Sequence, residues 1–375
     1  MATEVLADDK ALREGRRQRA LDQMEAHDID VLVLGQEANA RYVAGAQRLW
    51  TAGTRPFGPG CVVVRATGAI HLVSTWDEGI PDDIPHDNLF GITWNPGNLL
   101  AWLRSIEEAT NARRVGTDSL TPRFARLLPK VFPSAELVDA EPLLQAARRV
   151  KAPEEIAAIK AAVWVAETAL TAAVAELRPG VTERHLTAAF MDAMAREGVT
   201  TPATQRVARI AARRHGDLNG AVVQKEDLVA FDAAVVAAGY TGELGRTWPA
   251  SPAAVDARTE DLYRRADELW TGLLAACRPG APCSDLLAAY QAVGEALPPF
   301  PVASGLGLGF DVPVVSRDLP RTAAEERLDP GMVLAVLANV AGDGTNAVAR
   351  KEAVLITTDG AETLTSSPCW QQQER

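Results

Sequence analysis

The chain is poor in several residue types that mark specialised proteins. Aromatic residues fill 5% of its 375 positions, and there are four cysteines, Cys61, Cys277, Cys283 and Cys369. No two of these form a C-x-x-C pair, so the spacing signals neither a zinc knuckle nor a disulfide framework and fits a reducing compartment. Positive charge is in deficit: 38 Lys and Arg against 49 Asp and Glu give a formal net charge of −11. That balance argues against binding nucleic acid or an anionic membrane through a general positive field. The opening stretch, MATEVLADDKALREGRRQRA, lacks the apolar core of a secretory signal, and no run of about 18 apolar residues offers a membrane span. The expectation is a cytoplasmic protein that binds neither nucleic acid nor membrane.

At 375 residues the chain exceeds the usual size of one domain, so two are expected, each able to bury a core. Apolar residues spaced among charges predict a first helix over 11–28, and DVLVLG at 30–35 reads as a strand. CVVVRATGAIHLVST at 61–75 reads as two strands turning at Thr67-Gly68, 99–109 as a helix and ARRVGTDSL as a further strand. This alternation predicts an α/β domain over 1–148. The boundary falls at VKAPEEIAAIKAAVWVAETALTAAVAELRPG. There Pro153 suits a first helical turn, Glu154 and Glu155 complement its positive end, and an apolar stripe continues to Leu177 before Pro179-Gly180. Helices follow over about 182–197 and 255–277, the latter stopped by a second Pro-Gly. CRPGAPCSDLLAAYQAVGEAL echoes AELRPGVTERHLTAAFMDAMA, so the second domain, 149–375, reads as a tandem duplication enclosing a central site.

Candidate chemistry concentrates in residues 215–248. Apolar residues in LVAFDAAVVAAGY recur too densely for a solvent-facing helix and predict a buried β-hairpin. Asp232 then lies inside the first strand, and Glu243 follows a turn near Gly239. A carboxylate in an apolar sheet costs on the order of several kcal/mol unless it is protonated, hydrogen-bonded or matched by a cation, so Asp232 needs a partner. Arg206, Arg209, Arg213 and Arg214 cluster just before His215. They read as a solvated face, with a local anion site as the other reading.

Motifs along nearly the whole chain resemble the pita-bread family of aminopeptidase P, prolidase and creatinase. DVLVLGQEANARYVAG is similar to the family's strand followed by Asn-x-x-Tyr-x-x-Gly, and VKAPEEIAAIKAA to its linker and helix entry. LDPGMVLAV is similar to its Pro-Gly-Met-Val step, and VLITTDGAETLT to its closing strand and turn. The resemblance implies a creatinase-like α/β N-terminal domain followed by an α+β pita-bread catalytic domain.

Metal-dependent members of that family hold two divalent ions with two Asp, one His and two Glu. Asp232 matches the first Asp, and Glu243 stands where the second belongs. The ligand His of the family's Gly-His-Gly-Ile-Gly falls on Ser304, and the Glu after the Pro-Gly-Met-Val step falls on Leu337. The last Glu falls on Lys351 or Glu352, depending on where a one-residue gap lies. The expectation is no catalytic metal and no other cofactor. Two placements stay open: the Lys351 ammonium between Asp232 and Glu243, or Lys351 toward solvent with Glu352 inward.

The resemblance extends to substrate-binding positions. His215 lies at the spacing of a substrate-contacting histidine that serves as proton shuttle in metal-free creatinase; alone, it would read as structural. Asp311, in GLGFDVP, falls near the family's second histidine and is either a polar contact to substrate or a turn aspartate. Arg246 is expected to tie the hairpin together. Gly245 stands where creatinase carries the Glu that holds a guanidinium, which argues against creatine as substrate. The loop AQRLWTAGTRPFGPG at 46–60 corresponds to one that enters the partner subunit's pocket in relatives. Arg48, Trp50, Arg55 and Phe57 are therefore candidate substrate contacts across a homodimer, or else residues of an ordinary exposed loop.

The resulting expectation is a metal-independent, creatinase-like enzyme acting on a C–N bond of a small polar molecule. His215 would be its acid and base, with Asp232, Glu243, Lys351 and Glu352 in the catalytic set and Ser304 and Asp311 among the substrate contacts. A Xaa-Pro aminopeptidase or dipeptidase with an irregular metal site is one alternative, and a non-catalytic pita-bread binding protein is another.

Overall fold

The structure is a computed structural model that describes residues 10–46, 60–75, 77–93, 95–118, 121–204, 206–211, 221–309, 311–318, 325–342 and 346–370. The described residues divide into two compact units at the step from Arg148 to Arg149.

In the first unit, helix α1 (Lys10–Ala26), strand β1 (Val31–Leu34) and helix α2 (Glu37–Ala44) are followed by strands β2 (Cys61–Val64), β3 (Ile70–Val73) and β4 (Leu89–Phe90). Helix α3 (Pro96–Ser105), β5 (Arg114–Thr117), α4 (Pro122–Leu127), β6 (Glu136–Asp139) and α5 (Glu141–Arg149) complete it. The strands form a mixed sheet in the order β4-β3-β2-β1-β5-β6. All four residues of β1 are buried, as a near-continuous apolar run covered on both faces should be. Val31 and Val33 share one core with Leu99, Leu103 and Phe124 from α3 and α4. Helix α3 begins three residues before the expected 99 because Asn95 caps it, accepting from the Gly97 amide at 2.9 Å, and Pro96 supplies its first turn.

The Asn-x-x-Tyr-x-x-Gly motif has a structural job at each position. Asn39 donates to Asp118 and Glu141, both at 2.9 Å. The Tyr42 hydroxyl donates to the Ala147 carbonyl at 2.8 Å. Gly45 ends α2 at φ 71°, where an added Cβ would stand 2.2 Å from Arg13 Cδ. Glycine alone meets both demands.

The second unit runs α6 (Pro153–Ala175), α7 (Glu183–Arg196), β7 (Ala208–Ile210), β8 (Leu228–Ala237), β9 (Tyr240–Pro249), α8 (Ala257–Ala276) and α9 (Ser284–Ala292). It ends with β10 (Ala303–Gly305), β11 (Asp311–Val315), β12 (Val333–Ala341), β13 (Ala347–Ile356) and β14 (Ala361–Thr363). Among the described residues the strand order is β11-β10-β12-β13-β9-β8-β7, with β14 paired to β13. A pair of helices joined through a Pro-Gly segment and followed by a long hairpin therefore occurs twice. The hairpins meet where Gly245 and Arg246 of β9 pair with Lys351 and Arg350 of β13. The β8–β9 turn is Ala238-Gly239, with φ of 48° and 90°, as a tight two-residue hairpin connection requires.

Helix α6 is long and apolar enough to cross a membrane by length and composition alone. Here Val165, Ala166, Ala169 and Leu170 are buried in the same core as Phe231, Val235 and Leu244. At the start of α6, Glu155 accepts from the Ala152 amide and from the buried Tyr240 hydroxyl, each at 3.0 Å. That pair of bonds fixes the helix entry against β9.

Candidate functional site

Side chains alternate across a strand, so every second residue shares a face. On β8 and β9 one face carries Phe231, Val235 and Leu244 into the core under the helices. The other face carries Asp232, Glu243 and Gly245, and it lines a cavity of about 570 Å³. The second hairpin contributes Leu337, Ala349 and Lys351 by the same alternation, β10 adds Ser304, and Arg206 and Arg209 stand at the β7 edge. Small residues at Ala230, Gly245, Ala335 and Ala349 leave the space open.

Lys351 lies at the centre. Its ammonium donates to Asp232 Oδ1 and to Glu243 Oε1. The register explains the reach: Gly245 is the cross-strand partner of Asp232 on one side and of Lys351 on the other. A Cβ on Gly245 would sit 3.2 Å from Lys351 Cβ and 3.5 Å from its Cε. The lysine stem thus crosses β9 over a glycine. Burial opposes the charge on Lys351, but Glu243 and Asp232 outweigh it and hold its pKa above the ordinary lysine value. Within the cluster the Asp232 side chain is 54% exposed, against 23% for Glu243 and 16% for Lys351. Asp232 is therefore the carboxylate open to a ligand.

Several expectations are corrected. Glu352 does not face the cavity. One residue on from Lys351, it points to the opposite side of β13, 1% exposed, where Arg246 Nη2 donates to Oε2 at 2.8 Å and Arg350 Nε to Oε1 at 2.8 Å. Thr365 donates to Glu352 as well. Arg246 also donates to the Gly245 and Lys351 carbonyls, each at 2.9 Å, so it ties the two hairpins together. Asp311 is neither a substrate contact nor a turn residue: it opens β11 and forms a buried ion pair with Lys151 at 3.0 Å. Arg206 and Arg209 are not a solvated face but border the cavity. The Arg206 guanidinium donates to Glu183 at 2.7 Å. Nothing in the spacing of 206–214 revealed this, because an arginine on a short edge strand reads alike on either face. His215, Arg213, Arg214, Arg48, Trp50, Arg55 and Phe57 lie outside the described residues.

The donors present do not fit a pair of divalent ions. Hard cations need several anionic or imidazole ligands, and among the described residues no group of three or more His, Cys, Asp and Glu is arranged to hold a metal ion. At this site two carboxylates face a hydroxyl at Ser304 and an apolar side chain at Leu337. The space between the carboxylates holds the Lys351 ammonium, whose charge would repel a metal there.

Comparison with known proteins places this architecture. The fold is similar to the prolidase of Pyrococcus horikoshii, with a TM-score of 0.77 at 18% identity over 95% of this chain and 99% of that one. It is also similar to the Xaa-Pro dipeptidase of Bacillus anthracis, with a TM-score of 0.75 at 18% identity over 98% and 99%. In sequence the chain is 25% identical over 279 residues to the putative dipeptidase YkvY of Bacillus subtilis, covering 70% of this chain and 75% of that protein. Residues 16–150 match the creatinase/prolidase N-terminal domain. Residues 157–358, more than half of the chain, match metallopeptidase family M24, and the chain belongs to that family.

Proposed function

We propose that the chain hydrolyses the C–N bond of a small peptide-like molecule bound over Asp232, Glu243 and Lys351, without a metal pair. The family match and the names of the relatives, dipeptidase and prolidase among them, support a dipeptide-sized substrate. None of them supports creatinase-like action, which gives way to the peptide reading. The observation that carries the metal-free part is the Lys351 ammonium bonded to both carboxylates.

In this reading Lys351 holds Asp232 and Glu243 in place through its two hydrogen bonds. Asp232, the more exposed, accepts a hydrogen bond from the attacking water and orients it. His215 takes the proton of that water and returns it to the leaving nitrogen, a role suited to an imidazole near neutral pH. Leu337 keeps the floor of the cavity apolar beside the cluster, which strengthens the charge interactions there. The same proposal includes a homodimer whose loop at 46–60 completes the partner's pocket, and a cytoplasmic setting, which four free thiols support.

A second reading, a metal-dependent Xaa-Pro dipeptidase, is favoured by membership of a metallopeptidase family. Elemental analysis of the purified protein, with hydrolysis of Xaa-Pro dipeptides assayed before and after chelation, separates the two. Metal-free protein with chelator-resistant turnover is the expected result. About two equivalents of manganese, cobalt or zinc, as a two-metal site holds, with chelator-sensitive turnover would select the second reading. Metal-free protein without turnover would leave a binding protein.

A further inference from the structure

Lys351 divides the cavity into two unlike halves. On one side β8 and β9 present Asp232 and Glu243, which share its ammonium. On the other side β12 and β10 lie beyond β13 in the sheet. They and the segment before β10 bring Phe300, Pro301, Ser304, Ala335, Leu337 and Asn339 to the cavity, and none of these six carries a charge. Leu337 is the direct cross-strand partner of Lys351, which puts the two Cβ atoms roughly 4.5–5.5 Å apart. The wall is fixed from behind. The Leu337 amide donates to the Val302 carbonyl at 2.8 Å. The Tyr290 hydroxyl donates to the Leu337 carbonyl at 2.7 Å and accepts from the Asn339 amide at 3.0 Å. Val336 and Ala338, on the opposite face of β12, are fully buried. Of the four large apolar side chains that stand exposed among the described residues, Phe300 is the one at this cavity.

We propose that this uncharged half is a subsite for a hydrocarbon group of the ligand, a branched aliphatic or aromatic side chain, with Leu337 as the residue that selects it. The ligand class is a peptide-like molecule with one bulky apolar residue, its polar part lying over the ion cluster. The inference rests on the cavity being the substrate site of the proposed hydrolase. A rigid apolar wall open to solvent holds water against hydrocarbon, and a group that displaces that water gains affinity without having to order the protein. A charged group gains nothing comparable. The nearest ammonium is already bonded to two carboxylates, so an ion here would lose hydration without finding a partner. Ser304 and Asn339 offer the subsite's polar groups, a hydroxyl and an amide, and both suit a neutral ligand.

The test is calorimetric binding to the full chain of glycylprolinamide, leucylprolinamide, phenylalanylprolinamide and lysylprolinamide, which differ only in one side chain. Where a probe is turned over, kcat/KM takes the place of Kd. Each methylene fully buried is worth roughly fourfold in affinity. Wild type is therefore expected to prefer the leucyl and phenylalanyl probes over the glycyl probe by at least about tenfold, and to bind the lysyl probe more weakly than the leucyl one. Leu337→Gln, polar at similar volume, should compress the preference to about twofold, whereas Leu337→Met should keep it. Phe300→Ser changes an exposed side chain. It should narrow the preference for the phenylalanyl probe, and it carries the test if a thermal melt shows Leu337→Gln to be unfolded. The proposal is overturned if wild type binds the three neutral probes alike, if folded Leu337→Gln keeps the full preference, if the lysyl probe binds as tightly as the leucyl one, or if no probe binds. The expected preference without turnover of any probe would remove the hydrolase reading and leave this inference standing. Turnover of the neutral probes at equal kcat/KM would do the reverse.

Discussion

Lys351 holds two carboxylates that would otherwise repel each other in a partly dry cavity. Removing it leaves both charges facing one another, and Lys351→Met is expected to lower stability by about 1–3 kcal/mol, the range for losing hydrogen bonds to charged groups. The fully buried limit does not apply, because Asp232 remains half exposed. The pH dependence follows from the direction of the shift. A lysine pKa raised in the folded state contributes stability that is fully present below the unfolded value near 10.4 and is lost as pH rises through the folded one. Urea titrations of wild type and variant should show a constant gap between about pH 8 and 10 that closes above it. A gap that widens with alkali would remove the ion cluster from the account. At this scale the sequence was half legible. Asp232 and Glu243 stood out as acids in an apolar run, but choosing between Lys351 and Glu352 required the register of β13, and one residue of slip exchanges the faces. Arg209 was named, but its preferred placement on a solvated face failed for the same reason, and Asp311 was misread because its partner, Lys151, is remote in sequence.

The long elements were the most readable, because their apolar pattern is dense and their ends are punctuated. The β8–β9 hairpin, α6, α7 and α8 lie where periodicity and Pro-Gly stops put them. The contacts between elements were not readable, and two glycines make the point with opposite signs. Gly242 of β9 packs on the backbone of α6, and a Cβ there would come within 2.1 Å of the Ala162 carbonyl carbon. Gly242→Ala must push strand from helix and is expected to cost about 1–3 kcal/mol or more. Gly272 lies inside α8, and its added Cβ would meet only Ala289 Cβ at 3.8 Å, ordinary contact. Gly272→Ala should stabilise by about 0.5–1 kcal/mol through helix propensity. Thermal or urea unfolding of both variants checks the pair. A neutral Gly242→Ala would mean that β9 does not approach α6 so closely in solution.

For the whole molecule, the question is whether a metallopeptidase framework has kept its shape while changing the cation it holds. The face of the sheet that carries Asp232, Glu243, Ser304, Leu337 and Lys351 is continuous, and the mismatch to metal lies in side chains, not in strand register. Wild type is therefore expected to gain no stability from manganese, cobalt or zinc. The triple variant Lys351→Glu, Leu337→Glu, Ser304→His removes the internal ammonium and adds three ligands on the same face. Because binding to the folded state alone adds RT ln(1 + [L]/Kd), free metal at a hundredfold excess over Kd should stabilise that variant by about 2.7 kcal/mol. Denaturation with and without added manganese, together with metal content after gel filtration, reads this directly. Stabilisation of the variant alone would mean that the strand framework still supports a metal pair and that Lys351, Leu337 and Ser304 suffice to exclude it. Equal stabilisation of wild type would place metal beside Lys351 after all, and the metal-dependent dipeptidase would then be the better account of the fold.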